Sequence, residues 1–328
     1  MKLKVNIKKK IHWLSSISDF NKFASIRLRA KLIKTIAEKY NLGFSIGPIF
    51  PEDSEIIFVG KPGKNNYDLQ EEWINKLSNF KKKENIILDY VDHFIDEGNY
   101  NIQYSDFYKG ILNYCAVITC SSYKLKEKLS TFTKKDILVI EDPYEVEINS
   151  NLQTIKTNNF YWFGTKNNLR FLFALIASWE GENKNNLIIH TDNKGLFECA
   201  SKINSLQNEK LNLFFDLWSL ENMQKVIPDI SGIVIPGDPN DRLKSNVSSN
   251  RLITSFALGR PVAASYYDSY LEYKEFFVNI DEPALFKKFL NNPLAMNDKV
   301  KDAQNLIKKN SSENIIKKWE DLILRKII

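Results

Sequence analysis

The chain has 328 residues, of which 43% are hydrophobic and 26% are charged, and its formal net charge is +6. This composition is that of an ordinary soluble globular protein, and the length predicts about two domains of roughly 150 residues each. No apolar run approaches the roughly 20 residues that a membrane-spanning helix needs, which argues against an integral membrane protein.

The N-terminus is basic but has no long apolar core and no small-residue cleavage site, so we do not expect a secretory signal. Cys115, Cys120 and Cys199 lack C-x-x-C spacing and are expected to be reduced core residues of a cytoplasmic protein, not metal ligands. The lysines at 8–10 and 81–83 indicate a solvated face or, as an alternative, attraction to anionic phosphates or to an anionic membrane. Basic strips interleaved with aromatic residues are missing, so nucleic acid is not an expected partner.

Short apolar runs alternate with helical patterns in the first half of the chain, which is typical of βαβ units and a parallel sheet. Helices are predicted over 24–40, 67–80 and 123–132, where apolar residues recur at helical spacing. The predicted strands are 10–15, 43–47, 55–60, 85–91, 116–121 and 136–141.

A second alternating series follows a polar segment that lacks apolar periodicity. Its predicted strands are 160–164, 186–192, 211–218, 231–238, 261–266 and 276–280, with a strongly apolar helix over 167–179 and closing helices over 297–309 and 312–326. We therefore expect an α/β fold of two Rossmann-like doubly wound domains that face a central cleft. The expected divisions are an N-terminal acceptor-side domain 1–146, a linker 147–158, a C-terminal nucleotide-sugar-binding domain 159–295 and closing helices 296–328.

Ligands of open parallel sheets bind beyond the carboxyl ends of the strands, and with two such sheets the natural site is the cleft between them. The loop after strand 231–238 runs into a helix that begins at Asn250, with Ser248 or Ser249 as a candidate N-cap. Free N–H groups at that helix start attract anions, and Lys244 and Arg251 add two cations there. A capped helix whose arginine only reaches along the surface is the alternative. We favour a phosphate-binding loop.

The stretch "NRLITSFALGRPVAAS" (250–265) resembles the donor-binding region of GT-B glycosyltransferases, especially bacterial enzymes of surface-polysaccharide assembly. The family pattern is N-[KR]-[LV]-[LI]-E-[AS]-x-A-x-G followed by [RKL]-P-V-V-A-S. This chain departs from it at Thr254, where family members commonly have an acid that holds the donor ribose, and at Asn246, where the earlier acid of the E-x7-E pattern stands. Because of these two departures, a donor other than a UDP-sugar and a weaker donor site both remain alternatives.

Two further stretches agree with the resemblance. Residues 160–175 resemble the first strand, loop and helix of the donor domain, and 117–129 with 139–146 resemble the closing βαβ unit of the acceptor domain. The resemblance implies a nucleotide-sugar donor as substrate, no cofactor and no metal, since Lys, Arg and helix dipoles neutralise the leaving diphosphate. Trp218 and His190 follow or end strands, where they would face the nucleotide or simply pack and turn the chain. The predicted donor-binding residues are Gly164, Thr165, Lys166, Lys244, Ser245, Asn246, Asn250, Arg251, Trp218 and His190, with Arg170 as an alternative to Lys166.

Asp89, Asp92 and His93 come at the end of the fourth predicted strand. An Asp or His at a strand end can act as a general base, and the resemblance also implies an Asp/His pair near this place. We therefore predict Asp92 and His93 as catalytic residues, with a structural histidine as the alternative for His93. Ser25, Arg27 and Asp89 are predicted to bind the acceptor. Arg29 lies on the same predicted helix as Ser25 and Arg27, and for it a solvent-exposed position is an equal alternative to an acceptor contact.

The chain has no D-x-D between apolar strands, no G-x-S-x-G, no Walker motif and no G-x-G-x-x-G after the first strand. The sequence thus predicts a glycosyltransferase that moves a sugar from a nucleotide-activated donor to a glycan or lipid-linked acceptor in bacterial surface-polysaccharide synthesis. The expected location is cytoplasmic, with peripheral contact at the inner membrane face as an addition. The alternatives are a degenerate, non-catalytic binding or assembly subunit and a sugar-nucleotide 2-epimerase.

Overall fold

The computed structural model describes residues 9–20, 23–63, 66–95, 102–152, 154–206, 208–241, 246 and 248–327. These residues form two compact units. The first comprises the described residues of Met1–Pro143, Asn246–Ser248 and Asn310–Ile328, and the second those of Tyr144–Ser245 and Ser249–Lys309.

The first unit contains a parallel six-stranded sheet in the order β2-β1-β3-β4-β5-β6. The inner strands are buried almost throughout, as expected where helices cover both faces of a parallel sheet. The strands are β1 (Lys10–Leu14), β2 (Gly43–Gly47), β3 (Ser54–Val59), β4 (Ile86–Tyr90), β5 (Val117–Cys120) and β6 (Asp136–Val139). The helices between them are α1 (Lys31–Lys39), α2 (Tyr67–Ser78), α3 (Ile102–Tyr114) and α4 (Tyr123–Leu129).

The helix predicted over 24–40 is not regular along its whole length. Its first part, Ile26–Ala30, is a π-helical segment that leads directly into α1. Segments of this kind are rare and frequently occur at functional sites. Here the π-helical segment carries both arginines of the region, Arg27 and Arg29.

The second unit contains another parallel six-stranded sheet, in the order β12-β11-β10-β7-β8-β9. Its strands are β7 (Asn159–Phe163), β8 (Asn185–Thr191), β9 (Leu211–Leu217), β10 (Gly232–Ile235), β11 (Val262–Ala264) and β12 (Val278–Asn279). Its helices are α5 (Leu169–Ala177), α6 (Asn193–Lys202), α7 (Leu220–Val226), α8 (Asn250–Ala257), α9 (Pro283–Asn291) and α10 (Asn297–Ile307).

Alternate residues of β7 pack into different cores on the two faces of this sheet. Tyr161 and Phe163 pack with the apolar face of α8, whereas Phe160 and Trp162 pack with α5. This alternation follows from the two-residue period of a strand. Helix α8 ends where the sequence predicted, because Gly259 adopts a φ of 71°, the left-handed conformation that closes many helices.

The last helix, α11 (Ser312–Ile327), belongs to the first unit although it follows the second in sequence. Its buried side chains Ile315, Trp319 and Ile323 join the core formed by β1, β3 and α1. Among the described residues, no helix combines the length and the apolar character required to cross a bilayer.

The predicted α/β fold with two Rossmann-like sheets is confirmed. In the described part of the chain, each of the strands overlaps one predicted segment, and the pairing is parallel throughout both sheets. The helices predicted at the C-terminal end are present as α10 and α11.

Candidate functional site

The carboxyl edge of the second sheet gathers the residues that follow its strands. Gly164 comes after β7, Asp192 after β8, Trp218 after β9 and Ser265 after β11. Helix α8 begins near this edge, because the loop after β10 leads into it. This is the edge at which parallel α/β sheets bind ligands.

Arg251, in the first turn of α8, has a guanidinium without a hydrogen-bond partner or ion pair among the described residues. Its Nε and Nη2 atoms are buried and make no hydrogen bond within the described part of the chain, and no carboxylate there forms an ion pair with it. The guanidinium carbon lies 5.3 Å from the ring centroid of Trp162 and 5.6 Å from that of Phe163. Burial lowers the pKa of Arg251, but an arginine stays charged in proteins. A buried cation with open donors is costly unless an anion binds to it.

Gly164 leaves room for that guanidinium. A Cβ atom added at Gly164 would lie 2.9 Å from Cζ2 of Trp162 and 3.4 Å from Cζ of Arg251. The backbone N–H of Gly164 donates to the carbonyl of His190 at 3.1 Å, which holds the strand end in place. The absence of a side chain at this position therefore lets the Arg251 guanidinium lie close to the backbone at the strand end.

One of the two candidate N-cap residues of α8 occupies that position. Ser249 is the N-cap residue, but its side chain makes no capping hydrogen bond. Asn250, the first residue of the helix, is buried. The Ser249 side chain thus does not cap this first turn, and the N–H groups at a helix start favour the binding of anions.

The predicted loop residues before α8 are only partly described. Lys244 and Ser245 lie outside the described residues. Asn246 is buried in the first unit, where its carbonyl accepts a hydrogen bond from the Ser122 hydroxyl at 2.7 Å. The structure therefore groups Asn246 with the first unit and Arg251 with the second. Their shared role in donor binding stays a prediction.

Thr254 occupies the position where the family pattern has an acid. Its side chain is fully buried, and its hydroxyl oxygen accepts a hydrogen bond from the backbone N–H of Glu145 at 3.3 Å. The residue thus connects α8 to the chain segment that enters the second unit. The short, uncharged side chain of threonine fits this buried position and accepts this hydrogen bond.

Lys166 and Thr165 follow Gly164 at the surface. The Lys166 ammonium is 3.4 Å from a carboxylate oxygen of Glu198, and its backbone N–H donates to Asp192 at 2.9 Å. Thr165 precedes a short turn, in which its carbonyl accepts from the Asn168 N–H. Arg170 pairs with Asp241. The role of Lys166 and Thr165 in donor binding is still a prediction.

His190 and Trp218 contact the interior of the second unit. His190 is buried, its Nδ1 lies 3.0 Å from the hydroxyl of Tyr161, and burial lowers its pKa against the opposing effect of Asp216. The backbone N–H of Trp218 donates to the carbonyl of Thr191 at 2.8 Å, and its ring packs partly buried against the core. Both side chains have packing roles here, and their contact with a nucleotide stays a prediction.

Asp92 and His93, the predicted catalytic residues, follow β4 in the first unit. The Asp92 carboxylate pairs with the Lys61 ammonium, and the two side chains are 23% and 33% exposed. Burial disfavours the charge of Lys61, but Asp92 outweighs burial and the pKa of Lys61 is raised. His93 is buried, with Nδ1 3.4 Å from the hydroxyl of Tyr90, which in turn accepts the backbone N–H groups of Phe94 and Ile95.

Arg29, which the sequence analysis left between an acceptor contact and an exposed helix face, pairs with Asp89, one of the predicted acceptor-binding residues. The side chain of Arg29 is only 1% exposed, so the alternative of an exposed helix face is wrong. It pairs with Asp89 and Asp142, and Thr119 also donates to Asp89 at 2.8 Å. The Asp89 carboxylate is thus bonded inside the first unit, and its role toward an acceptor stays a prediction.

Ser25 and Arg27 are half-buried at the beginning of the π-helical segment. The backbone N–H of Arg27 donates to the carbonyl of Phe23 at 2.8 Å. These two residues remain predicted acceptor contacts. Among the described residues, no group of three or more His, Cys, Asp or Glu side chains could hold a metal ion.

The sequence matches no protein-family model and no curated protein. The structure is nevertheless similar to solved structures. With sucrose-phosphate synthase from Thermosynechococcus elongatus, the TM-score is 0.67 at 11% identity, over 97% of this chain and 99% of that chain. With an alpha-glucosyltransferase in complex with UDP, the TM-score is 0.66 at 9% identity, over 96% and 99%.

A third similar structure is TarM, with a TM-score of 0.60 and 16% identity over 83% of this chain. The similar region spans only 55% of TarM, little more than half its length. Identities this low show the fold and not the reaction. Its two parallel six-stranded sheets and these similarities show that the chain has the GT-B glycosyltransferase fold.

Proposed function

We propose that this protein transfers a sugar from a nucleotide-activated donor to an acceptor, and that Arg251 binds the donor diphosphate. The observation that carries the proposal is the guanidinium of Arg251, which has no ion pair among the described residues and lies at the carboxyl edge of the second sheet, in the first turn of α8. Arginine binds phosphate oxygens through a fixed fork of N–H groups. A nucleoside diphosphate supplies the negative charge that this position lacks.

The same arrangement suits the chemistry of sugar transfer. Negative charge develops on the leaving diphosphate as the bond to the sugar breaks, and preorganised donors at that position lower the barrier. Arg251 and the N–H groups at the start of α8 are such donors, and the helix dipole adds to their effect. We therefore propose a reaction that does not need a metal ion.

In the first unit we propose Asp92 as the group that orients or deprotonates the acceptor hydroxyl, with His93 beside it. Asp92 is partly exposed and pairs with the Lys61 ammonium, so its carboxylate is within reach of a substrate. The resemblance of 250–265 to enzymes of bacterial surface-polysaccharide assembly supports a glycan or lipid-linked acceptor. We also propose that the protein makes peripheral contact with an anionic membrane.

A DNA acceptor is a second candidate because one similar structure is an alpha-glucosyltransferase in complex with UDP-glucose and DNA. We favour a glycan for this chain, whose net charge of +6 is modest and whose sequence lacks basic strips interleaved with aromatic residues.

The donor site is tested by thermal denaturation of the whole protein with UDP, GDP, CDP, dTDP, CMP or NAD. A nucleotide at a hundredfold excess over its Kd stabilises the folded state by about 2.7 kcal/mol. We expect a shift with one nucleoside diphosphate, and at least a roughly tenfold loss of affinity in Arg251→Ala, because hydrogen bonds to charged groups contribute about 1.5–3 kcal/mol. Arg325→Ala, on α11, is the matched control. Stabilisation by none of these ligands, or equal affinity in Arg251→Ala, would contradict the donor site.

Catalysis is tested by the release of the nucleoside diphosphate from nucleotide sugars with and without glycan acceptors. We expect Asp92→Asn to bind nucleotide normally and to lose turnover, whereas Asp53→Asn, on the surface, keeps it. Nucleotide binding without turnover in the unaltered protein would favour the non-catalytic binding subunit. Interconversion of sugar stereochemistry without an acceptor would favour the 2-epimerase.

A further inference from the structure

Strand β9 is an edge strand of the second sheet. It is the terminal strand of the order and pairs only with β8 among the described strands. The carbonyl of Lys210 accepts from the Asn185 N–H, and the N–H of Trp218 donates to the Thr191 carbonyl. Because alternate residues of a strand bond to opposite sides, the even-numbered residues of β9 bond to β8. The backbone groups of Leu213 and Phe215 therefore point outward.

The two ends of this edge are closed by local hydrogen bonds, whereas no strand of the described part of the chain pairs with its centre. The Leu211 N–H donates to the Asn208 carbonyl at 2.9 Å, and the Leu217 N–H donates to the Asp216 carboxylate at 2.7 Å. The Leu217 carbonyl accepts from the Asn222 side chain at 3.0 Å. A strand that approaches from outside the sheet can therefore pair only with the middle of β9.

The side chains along the open segment are solvent-exposed on one face of the sheet. They are Asn212, Phe214 and Asp216, and the Phe214 side chain is 52% exposed. On the other face, Leu213 and Phe215 pack against the core beside α5. An edge strand with an exposed aromatic side chain is a template for pairing, which natural proteins normally cover or charge.

The sequence of β9, "LNLFFDL", is self-complementary about Phe214. In an antiparallel pair of two copies centred on this residue, Phe214 faces Phe214 and Asn212 faces Asp216. Leu213 faces Phe215, and Leu211 faces Leu217. Each contact joins groups of like polarity, with an amide donor opposite a carboxylate acceptor. A shift of register by two residues places Asp216 opposite Phe214 and loses this match.

We propose that two copies of this chain associate through β9, so that their second sheets become one continuous sheet across a two-fold axis at Phe214. Leu213 of one copy exchanges both backbone hydrogen bonds with Phe215 of the other, which satisfies the groups that point outward. Such an interface is isologous, as in most dimers of identical chains.

The interface is expected to be of modest strength. A stable interface buries about 1,200–2,000 Å² in total, and one short strand pair does not reach this area. Exposed apolar side chains nearby, Leu217 on β9 and Phe197 on α6, which packs beside β9, extend the surface. We therefore expect a dissociation constant for the dimer that lies in the micromolar range.

Sedimentation velocity or light scattering on the full chain, at concentrations spanning about two decades around micromolar, tests the proposal. The mass is expected to rise from 38.2 kDa to twice that value. Phe214→Lys and Phe214→Glu place like charges at the axis and are each expected to remain monomeric. An equimolar mixture of the two is expected to dimerise again, because lysine then faces glutamate.

Leu285→Lys is the matched control. Leu285 is 40% exposed on α9, which packs against β12 at the opposite edge of the same sheet, so this variant should dimerise normally. Circular dichroism confirms that each variant is folded. Asn212→Lys, opposite Asp216, should tighten the dimer severalfold, and Asn212→Asp should weaken it.

A monomeric unaltered protein over the whole range would overturn the proposal. So would a dimer that persists in both Phe214 variants, since it would form through another surface, or folded charge variants that stay monomeric when mixed. None of these outcomes depends on nucleotide binding, so the proposed reaction stands or fails separately.

Discussion

The Nε atom of Arg29 lies 2.8 and 2.9 Å from the two carboxylate oxygens of Asp89. Nη1 of the same arginine donates to the carbonyl of Ile140 at 2.7 Å and to Asp142 at 2.9 Å. Burial disfavours the charge of Arg29, but the two carboxylates outweigh burial and raise its pKa. The pair joins the π-helical segment after β1 to the carboxyl ends of β4 and β6, and so fixes the edge that carries the proposed acceptor residues.

We expect Asp89→Asn to lower the free energy of unfolding by about 3–5 kcal/mol, because removing one partner leaves a buried charge without compensation. Asp142→Asn should cost less, since Asp142 contacts Nη1 alone and Asp89 still pairs with the arginine. Urea unfolding followed by circular dichroism measures both.

Asp53→Asn serves as the control for this prediction. Asp53 pairs with Lys10 at the surface, and both side chains are about half exposed, so the loss should stay below about 1 kcal/mol. Equal effects of Asp89→Asn and Asp53→Asn would show that the buried pair does not stabilise the first unit.

Gly164→Ala should weaken nucleotide binding and also cost stability. The new methyl group would press on a ring carbon of Trp162, a fully buried side chain that cannot move cheaply, and would crowd the Arg251 guanidinium. Overpacking of this kind costs about 1–3 kcal/mol. Calorimetric titration with the nucleotide found in the screen measures the loss of affinity.

Gly110→Ala is matched to that substitution. A Cβ at Gly110 would meet only the terminal methyl group of Ile74, which a side-chain rotation can relieve, so nucleotide affinity should not change. Unchanged affinity in Gly164→Ala as well would rule out a role for the close approach of the backbone to Arg251.

Thr254→Val should destabilise the second unit by about 1 kcal/mol, because the Glu145 N–H loses its hydroxyl acceptor while the volume is kept. Thermal unfolding detects the change. Thr131→Val is the control: Thr131 is exposed and donates to the Lys128 carbonyl near a helix end, and we expect a change within about 0.5 kcal/mol. A Thr254→Val protein as stable as the parent would show that this hydrogen bond contributes nothing.

Stability should decline as the pH falls below about 6.5. Burial lowers the pKa of His12, with the Gly47 carbonyl opposing it, and burial lowers that of His190 against the opposing effect of Asp216. Both histidines therefore bind a proton more readily in the unfolded chain, whose histidine pKa is about 6.5. Their stabilising contribution is complete above that pH and is lost as the pH falls toward the folded pKa.

Urea unfolding between about pH 7.5 and 5.5 measures this loss, to which each histidine contributes at most about 1.4 kcal/mol per pH unit. His190→Gln should reduce the slope. A flat profile in the unaltered protein, or an unchanged slope in the variant, would contradict the assignment.

The sheets were predictable because buried parallel strands contain continuous apolar runs, as in β3 and β10, and such runs depend on local sequence. The ends of the strands were less predictable from the sequence. The segment predicted over 231–238 forms a strand only over Gly232–Ile235, where Pro236, which lacks an N–H, follows. The π-helical turn at Ile26–Ala30 was also missed, since a short stretch of apolar spacing does not distinguish it from an α-helix.

The sequence by itself determined the order of strands and helices, the amphipathic character of α11 and the presence of a cation at the start of α8. Only the tertiary structure decided that α11 covers the first sheet, because an apolar stripe fits any apolar face and long-range packing selects one. It likewise decided that Arg29 is neutralised by Asp89 and Asp142, whereas the guanidinium of Arg251 lies against aromatic rings. Charge type is a local property, but whether a charge has a partner depends on residues brought together from distant parts of the chain.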